Sequence, residues 1–130
     1  MAGRVVFFLH HGSYEAAYQA AALGITAAAM GDEVYFVLAF DALRQWIRGT
    51  LGHPQTEKEV LESTRAEGLG LPPPHRMLEE AKALGAKFVA CDTTLKICGL
   101  ATGEVVGKLN EVIGLASIWK LTDGARVLAF

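Results

Sequence analysis

The chain has few of the features that mark several common protein classes. Two cysteines among 130 residues cannot form a disulfide framework, and no pairing of cysteine with histidine matches a zinc-binding pattern. The 12 Lys and Arg residues are outnumbered by 14 Asp and Glu residues, so there is no basic excess to neutralise nucleic-acid phosphates. The first apolar run, residues 5–9, is far too short to cross a bilayer, and no signal-peptide cleavage pattern follows it. We therefore expect a cytoplasmic protein with no metal, no nucleic-acid partner and no membrane partner.

What the chain does have is enough apolar residues for one compact domain. Hydrophobic residues make up 52% of the sequence, which suits a single core over residues 1–130. Strands are predicted at residues 5–9, 34–40, 87–91, 111–113 and 126–130. Helical patterns lie between them, one of them capped by Asp41, and such alternation is typical of parallel strands with right-handed crossovers. We predict an α/β three-layer sandwich, flavodoxin-like, with a five-stranded, mainly parallel sheet in the order 2-1-3-4-5.

The first predicted helix lacks charge over most of its length. It begins after Ser13, a suitable N-cap, and ends at Gly31, and residues 16–30 contain no charged side chain. A helix without charge on any side is expected to bury more than one face, either inside a sandwich or against another subunit. The pattern favours a homo-oligomer.

A long segment follows the second predicted helix. Residues 49–74 exceed the usual length of a connection, and segments of this kind are often lids or binding loops. Thr56, with Glu59 three residues later, predicts a capping box and a short helix inside the segment. We interpret the segment as a lid-like insert that would cover a binding site. His53 and His75 are interpreted as solvent-facing and receive no role.

Cys91 is the leading candidate for chemistry. It stands where a predicted strand gives way to a short helical pattern, so its sulfur would lie near free backbone N–H groups that favour a thiolate. Thr93 and Thr94 would either hydrogen-bond a sulfur anion or cap the helix backbone. The negative charge of Asp92 works against the thiolate. The alternative is that Cys91 is an ordinary buried cysteine.

Two histidines and a glycine follow the first predicted strand. In a 2-1-3-4-5 sheet the carboxyl ends of the first and third strands are neighbours, so His10, His11 and Gly12 would lie beside Cys91. A histidine there would draw the thiol proton or stabilise the thiolate, and Gly12 would let a ligand approach the backbone. The alternative is that both histidines are ordinary loop residues. No phosphate-binding glycine loop is present, so we expect no cofactor.

Cys98 is a possible second thiol. If both cysteines lie on one continuous helix, seven residues at 1.5 Å each separate them by about 10 Å, too far for a disulfide. An internal redox pair with Cys91 is therefore not expected. Cys98 is interpreted as a buried residue beside Gly99.

Three stretches of the chain together resemble the DsrE/DsrF-like family, including its branch labelled peroxiredoxin. They are AAAMGDEVYFVLAFDAL (residues 27–43), LGAKFVACDTTLKICGL (84–100) and VIGLASIWKLTDGARVLAF (112–130). The most specific element is a strand-terminal cysteine followed eight residues later by glycine, here Cys91 and Gly99. The resemblance implies a flavodoxin-like fold, assembly into trimers or hexamers and, for sulfur-relay members, a cysteine that accepts and passes on persulfide sulfur. By position, that cysteine is Cys91.

Three functions follow from these observations. The leading hypothesis is a small sulfur carrier or sulfurtransferase with a persulfide on Cys91, which would have a sulfur donor or acceptor protein as partner. The alternative is a non-catalytic module of the same fold that binds a small ligand or assembles with partners. Peroxide reduction ranks last, because no resolving cysteine is expected at bridging distance.

Overall fold

Strands and helices alternate through residues 3–130, which the computed structural model describes. The strands are β1 (Arg4–Leu9), β2 (Glu33–Leu38), β3 (Lys87–Cys91), β4 (Glu111–Ile113) and β5 (Arg126–Ala129). The helices are α1 (Tyr14–Ala29), α2 (Phe40–Arg48), α3 (Glu57–Gly68), α4 (Pro74–Ala83), α5 (Asp92–Ile97), α6 (Thr102–Val105) and α7 (Leu115–Leu121). The predicted strands are confirmed to within two residues at each end.

The five strands form one sheet in which every pairing is parallel. The α/β class and the parallel, five-stranded sheet are confirmed. The predicted strand order is wrong, because the observed order is β4-β3-β2-β1-β5 and β2 lies between β1 and β3. The chain steps in one direction from β1 to β4 and only then crosses to the far side of β1 to place β5.

A row of aromatic rings explains this order. Phe36 of β2 stacks on Phe7 of β1 at 5.2 Å between ring centroids and on Phe88 of β3 at 4.9 Å. Trp46 of α2 extends the row beyond Phe88 at 4.4 Å, and Phe130 extends it beyond Phe7 at 6.3 Å. Only with β2 in the middle can one ring contact both neighbours, and stacked aromatic pairs stabilise a core beyond the area they bury.

The two faces of the sheet are covered to different extents. We call one the closed face, which points into the main core and carries the strand residues Val5, Phe7, Val34, Phe36 and Phe88. Its cover includes buried residues of α1, α2 and α4. We call the other the open face, which carries Val6, Phe8, Tyr35, Val37 and Val89. The buried residue that packs on it from a helix is Ile118 of α7.

Helix α1 packs closely on the closed face, as its small residues allow. Ser13 caps its first turn by accepting a hydrogen bond from the Ala16 N–H at 3.2 Å, as predicted. Gly24 touches the ring of Phe36 so closely that a Cβ there would overlap it. The buried positions of the helix are Tyr14, Ala17, Ala20, Ala21 and Gly24. Packing within the chain therefore accounts for the absence of charge on this one face of α1, whereas Gln19, Leu23 and Ala29 are exposed.

The start of α2 differs from the prediction. Ala39, not Asp41, is the N-cap, and Phe40 takes the left-handed backbone conformation with φ of 48°. Asp41 lies two residues after Ala39, in the first turn, where its carboxylate accepts a hydrogen bond from the Gly12 N–H at 2.9 Å. The Asp41 side chain therefore stabilises the loop after β1 and does not cap α2.

The insert contains a longer helix than the sequence suggested. Thr56 caps α3 by accepting a hydrogen bond from the Glu59 N–H at 3.1 Å, so the predicted capping is confirmed. The buried carboxylate of Glu59 in turn accepts hydrogen bonds from the backbone N–H of Gln55 at 3.1 Å and of Tyr14 at 2.7 Å. One side chain therefore ties α3 to the start of α1.

Candidate functional site

Cys91 is the last residue of β3 and the N-cap of α5, as its place in the sequence predicts. It pairs in register with Ile113 of β4. Its exposed fraction is 5%, and it belongs to the open-face cluster with Val89 and Ile118. The candidate sulfur site therefore lies at the carboxyl edge of the sheet, on the face with the thinner cover.

The surroundings of Cys91 lower the pKa of its thiol. Burial raises that pKa, but the backbone N–H groups of Thr94 and Thr93, together with their hydroxyls, favour the thiolate and outweigh burial. The neutral thiol makes no capping hydrogen bond to α5. A thiolate accepts hydrogen bonds more strongly than a thiol, so these groups act mainly when the proton has left.

The charge of Asp92 is partly offset by a neighbour. Its carboxylate pairs with the ammonium group of Lys96, one turn along α5, at 3.1 Å, and both side chains are largely exposed. The carboxylate is not among the groups that shift the pKa of Cys91. The opposition between Asp92 and the thiolate that the sequence predicts is therefore weak.

The predicted neighbourhood of histidine and cysteine is wrong. It required β1 and β3 to be adjacent, but β2 separates them. His10 follows β1 as Cys91 ends β3, so two strand spacings of about 4.8 Å place their backbones roughly 10 Å apart. His10 and His11 are both exposed. The structure thus gives neither histidine a contact with the candidate sulfur site.

Gly12 is required by packing against α2 rather than by a ligand. A Cβ at Gly12 would come within 2.6 Å of the Gln45 side chain and 2.7 Å of the Asp41 carboxylate. Gln45 is itself buried and donates hydrogen bonds to Asp41. The space beside Gly12, where the sequence predicts the approach of a ligand, is occupied by the side chains of Gln45 and Asp41.

Cys98 lies on the other side of the sheet from Cys91. Both are free thiols. Cys98 is half-buried against the main core of the closed face, whereas Cys91 belongs to the open-face cluster. This placement agrees with the prediction that the two cysteines do not form an internal redox pair.

The insert brings together two histidines that are both exposed, as the sequence predicts. His53 and His75 lie edge to face, with their ring centroids 5.5 Å apart. Both line a cavity of about 580 Å³ formed by the insert and the start of α4. They are 22 residues apart in the chain, so no local pattern indicates the pair. The run of prolines that ends at Pro74, directly before His75, is the one sequence signal of a fixed wall there.

Among residues 3–130, no group of three or more His, Cys, Asp or Glu side chains is arranged to hold a metal ion. No helix in that same range has both the length and the apolar character needed to cross a membrane.

The fold of the chain is found among solved structures, with a match that extends over nearly its whole length. The crystal structure of the YchN protein from E. coli superimposes on it with a TM-score of 0.65 at 20% sequence identity. The match covers 98% of this chain and 99% of YchN. No protein-family profile and no curated protein matches the sequence. The chain therefore shares the α/β fold of YchN.

Proposed function

We propose that the protein is a small cytoplasmic sulfur carrier of the DsrE-like type that holds a persulfide on Cys91. The observation that carries the proposal is the lowered pKa of this thiol at the carboxyl end of β3. The thiolate is the form that accepts sulfur, and Thr93 and Thr94 favour it. The resemblance of residues 84–100 to the DsrE/DsrF-like family and the fold shared with YchN support the proposal.

The proposed reaction is a transfer of one sulfur atom between thiols. The Cys91 thiolate attacks the outer sulfur of a donor persulfide, R–S–SH, and forms a new S–S bond. The donor's S–S bond breaks, and its inner sulfur leaves as the thiolate R–S⁻. The reverse attack by an acceptor thiolate passes the sulfur on. Donor and acceptor exchange sulfur without any further oxidant or reductant.

Access to Cys91 depends on α7. The sulfur site is nearly buried, and the buried helical residue of its cluster is Ile118 of α7, a helix of seven residues whose Leu121 packs beside it half-buried. A short helix held by one buried side chain opens at a lower free-energy cost than the core. We propose that a donor protein reaches Cys91 from the edge of the sheet beside α7.

A sulfur-transfer assay with intact-mass detection tests the proposal. The protein is incubated with glutathione persulfide, and its mass is measured before and after treatment with a reductant. We expect wild type and the control Cys98→Ser to gain one sulfur atom that the reductant removes, whereas Cys91→Ser gains none. A Cys91→Ser variant that gains sulfur as readily as wild type would refute the role of Cys91.

The burial of Cys91 favours a second candidate, a non-catalytic binding or assembly module. In that case Cys91 merely packs against Val89 and Ile118, as a cysteine commonly does. Alkylation with iodoacetamide separates the two functions. A carrier reacts at Cys91 in the native state, slowly because of burial, while a module reacts there only when unfolded. Cys98, which is half-buried, serves as the internal reference in the same sample.

We further propose that the protein is a homo-oligomer, a trimer or hexamer. Large apolar side chains are exposed on and beside the open face, among them Leu115, Trp119 and Val127. Several large apolar side chains exposed on one face are typical of an interface between subunits. Native mass spectrometry measures the subunit number directly. We expect Trp119→Glu to shift the assembly toward the monomer, and a wild-type protein that is monomeric at micromolar concentration contradicts the proposal.

A further inference from the structure

The cavity beside the insert lies apart from Cys91, and its size and lining suit a separate ligand site. Its volume of about 580 Å³ falls within the range of small-molecule pockets. Its walls come from the insert, the end of α3 and the first turn of α4. Cys91 belongs to the cluster on the open face, whereas α4 packs in the main core of the closed face.

The cavity is lined by one cationic side chain and by two histidines, each of which can donate a ring N–H. Arg76, His53 and His75 all line it. Across the described residues, Arg76 takes part in no salt bridge. The two imidazole rings lie 5.5 Å apart between centroids, and within residues 3–130 neither ring takes part in a side-chain hydrogen bond or a salt bridge. Donors without partners in a concave site are suited to an anion.

The start of α4 adds to the positive character of the cavity. Helix α4 has ten residues, and its first turn, which carries Pro74, His75 and Arg76, lies in the cavity wall. That turn contains no acidic residue. A cation near a helix N-terminus is unfavourable because that end of the helix dipole is also positive. An anion bound there offsets the charge of the cation and that of the dipole, and so stabilises α4.

Much of the remaining lining is apolar. Prolines 72, 73 and 74, with Leu71 and Ala66, form much of the wall. Tyr14 also lines it; this residue is 7% exposed, and its hydroxyl has no hydrogen bond among the described residues. Apolar walls of this kind favour a ligand with an apolar body over a bare inorganic ion.

We propose that this cavity binds a small organic carboxylate with a flat apolar body. The carboxylate pairs with Arg76 and the histidine side chains, and the body packs against the prolines and Leu71. Glu67 is the one acidic residue in the lining, and it is exposed. Its charge opposes the ligand, so it weakens binding without abolishing it. The site is independent of the sulfur chemistry proposed for Cys91.

Titration with three matched probes tests the site. Benzoate, benzyl alcohol and benzylammonium share a ring and differ in charge, and inorganic phosphate supplies an anion without an apolar body. Binding is followed by NMR of the histidine ring protons. We expect benzoate to shift the signals of His53 and His75 and to leave His10 and His11 unchanged, with benzyl alcohol, benzylammonium and phosphate at least tenfold weaker.

Three variants of exposed residues test which side chains bind the ligand. None of them disturbs the core. Arg76→Gln should weaken benzoate binding about tenfold or more, and Glu67→Gln should tighten it several-fold. Arg65→Gln, on α3 but outside the lining, should change nothing. Equal binding of benzoate and benzyl alcohol, phosphate that binds as well as benzoate, or an Arg76→Gln variant with unchanged affinity would each overturn the proposal.

Discussion

The two faces of the sheet differ in how much of the chain covers them, and the difference separates stability from chemistry. On the closed face, Phe7, Phe36 and Phe88 are fully buried beneath α1, α2 and α4. On the open face, Phe8 and Tyr35 stay half-buried although they lie on the same central strands. Adjacent positions of one strand thus meet a dense core on one side and a thin cover on the other.

This contrast explains why the candidate nucleophile lies where it does. A thiolate requires hydrogen-bond donors and is disfavoured in an apolar core. Ala90 and Cys91 are consecutive residues of β3, yet Ala90 belongs to the closed-face core and Cys91 to the open-face cluster. Had the cysteine been shifted by one position, its side chain would have faced the main core.

The largest expected effect comes from removing one aromatic side chain from each face. Phe88→Ala, on the closed face, removes a ring that stacks on both Phe36 and Trp46, and should lower the free energy of unfolding by about 3–5 kcal/mol. Trp119 on α7 is 75% exposed, so Trp119→Ala should lower it by roughly 0.5 kcal/mol or less within one subunit. Urea denaturation of both variants gives the comparison.

The assembly proposed above adds one requirement to that experiment. If Trp119 lies in a subunit interface, its loss is measured partly as dissociation, and the apparent stability then depends on protein concentration. Denaturation at two concentrations separates the contributions. Equal losses for Phe88→Ala and Trp119→Ala at low concentration would contradict the distinction between the two faces.

A smaller effect on the free energy of unfolding is expected from enlarging one side chain on each face of the sheet. Gly24→Ala places a Cβ against the ring of Phe36, which is held between two other rings and cannot move aside. The gain in helix propensity of about 1 kcal/mol is then outweighed, and we expect a net loss of about 1–3 kcal/mol.

The matched addition on the open face is Ala129→Val. Ala129 pairs in register with Phe8 and is exposed, so two extra carbons have room there. We expect a change within about 0.5 kcal/mol of zero. Thermal unfolding of both variants measures the pair. A stable Gly24→Ala protein would mean that the closed face is less tightly packed than the ring contacts indicate.

The sequence predicted the elements of this fold well because their signals are local. The apolar run at β3, the Ser13 cap and the Thr56 cap each act within a few residues, and all three are confirmed, although the Glu59 carboxylate bonds Gln55 and Tyr14 instead of completing a capping box. The α/β class follows from the alternation of such elements. Strand order is different, because it is decided by which side chains meet across strands, and Phe7, Phe36 and Phe88 are far apart in the chain.

Because the predicted strand order is wrong, the predicted site is wrong at the same point. Placing β3 beside β1 made His10 a neighbour of Cys91, and correcting the order removes that contact. The contribution of Thr93 and Thr94 was predicted because they follow Cys91 directly in the chain. Likewise, the approach of His53 to His75 depends on how the insert folds back on α4, for which the sequence has no periodic signal.

The smallest effect, and the one that bears most closely on the site, is the pH dependence that Cys91 gives to stability. Its pKa is lowered in the folded protein, so between the folded pKa and the ordinary thiol value near 8.5 the unfolded chain binds more protons. The contribution is fully present above the unfolded pKa and is lost as pH falls through the folded one. The free energy of unfolding of wild type minus that of Cys91→Ala should therefore rise from about pH 7 to about pH 9.5.

The direction of that change tests whether the open face differs chemically from the closed face. Thr93→Val removes one hydroxyl and keeps the backbone N–H, so it should reduce the rise without reversing it. The amplitude is expected to be modest, because burial opposes the hydrogen bonds that favour the thiolate. A difference that falls with pH would show that burial dominates and raises the pKa. Cys91 would then lie in surroundings as unsuited to a charge as those of Ala90, and a persulfide anion would have no stabilised position on either face.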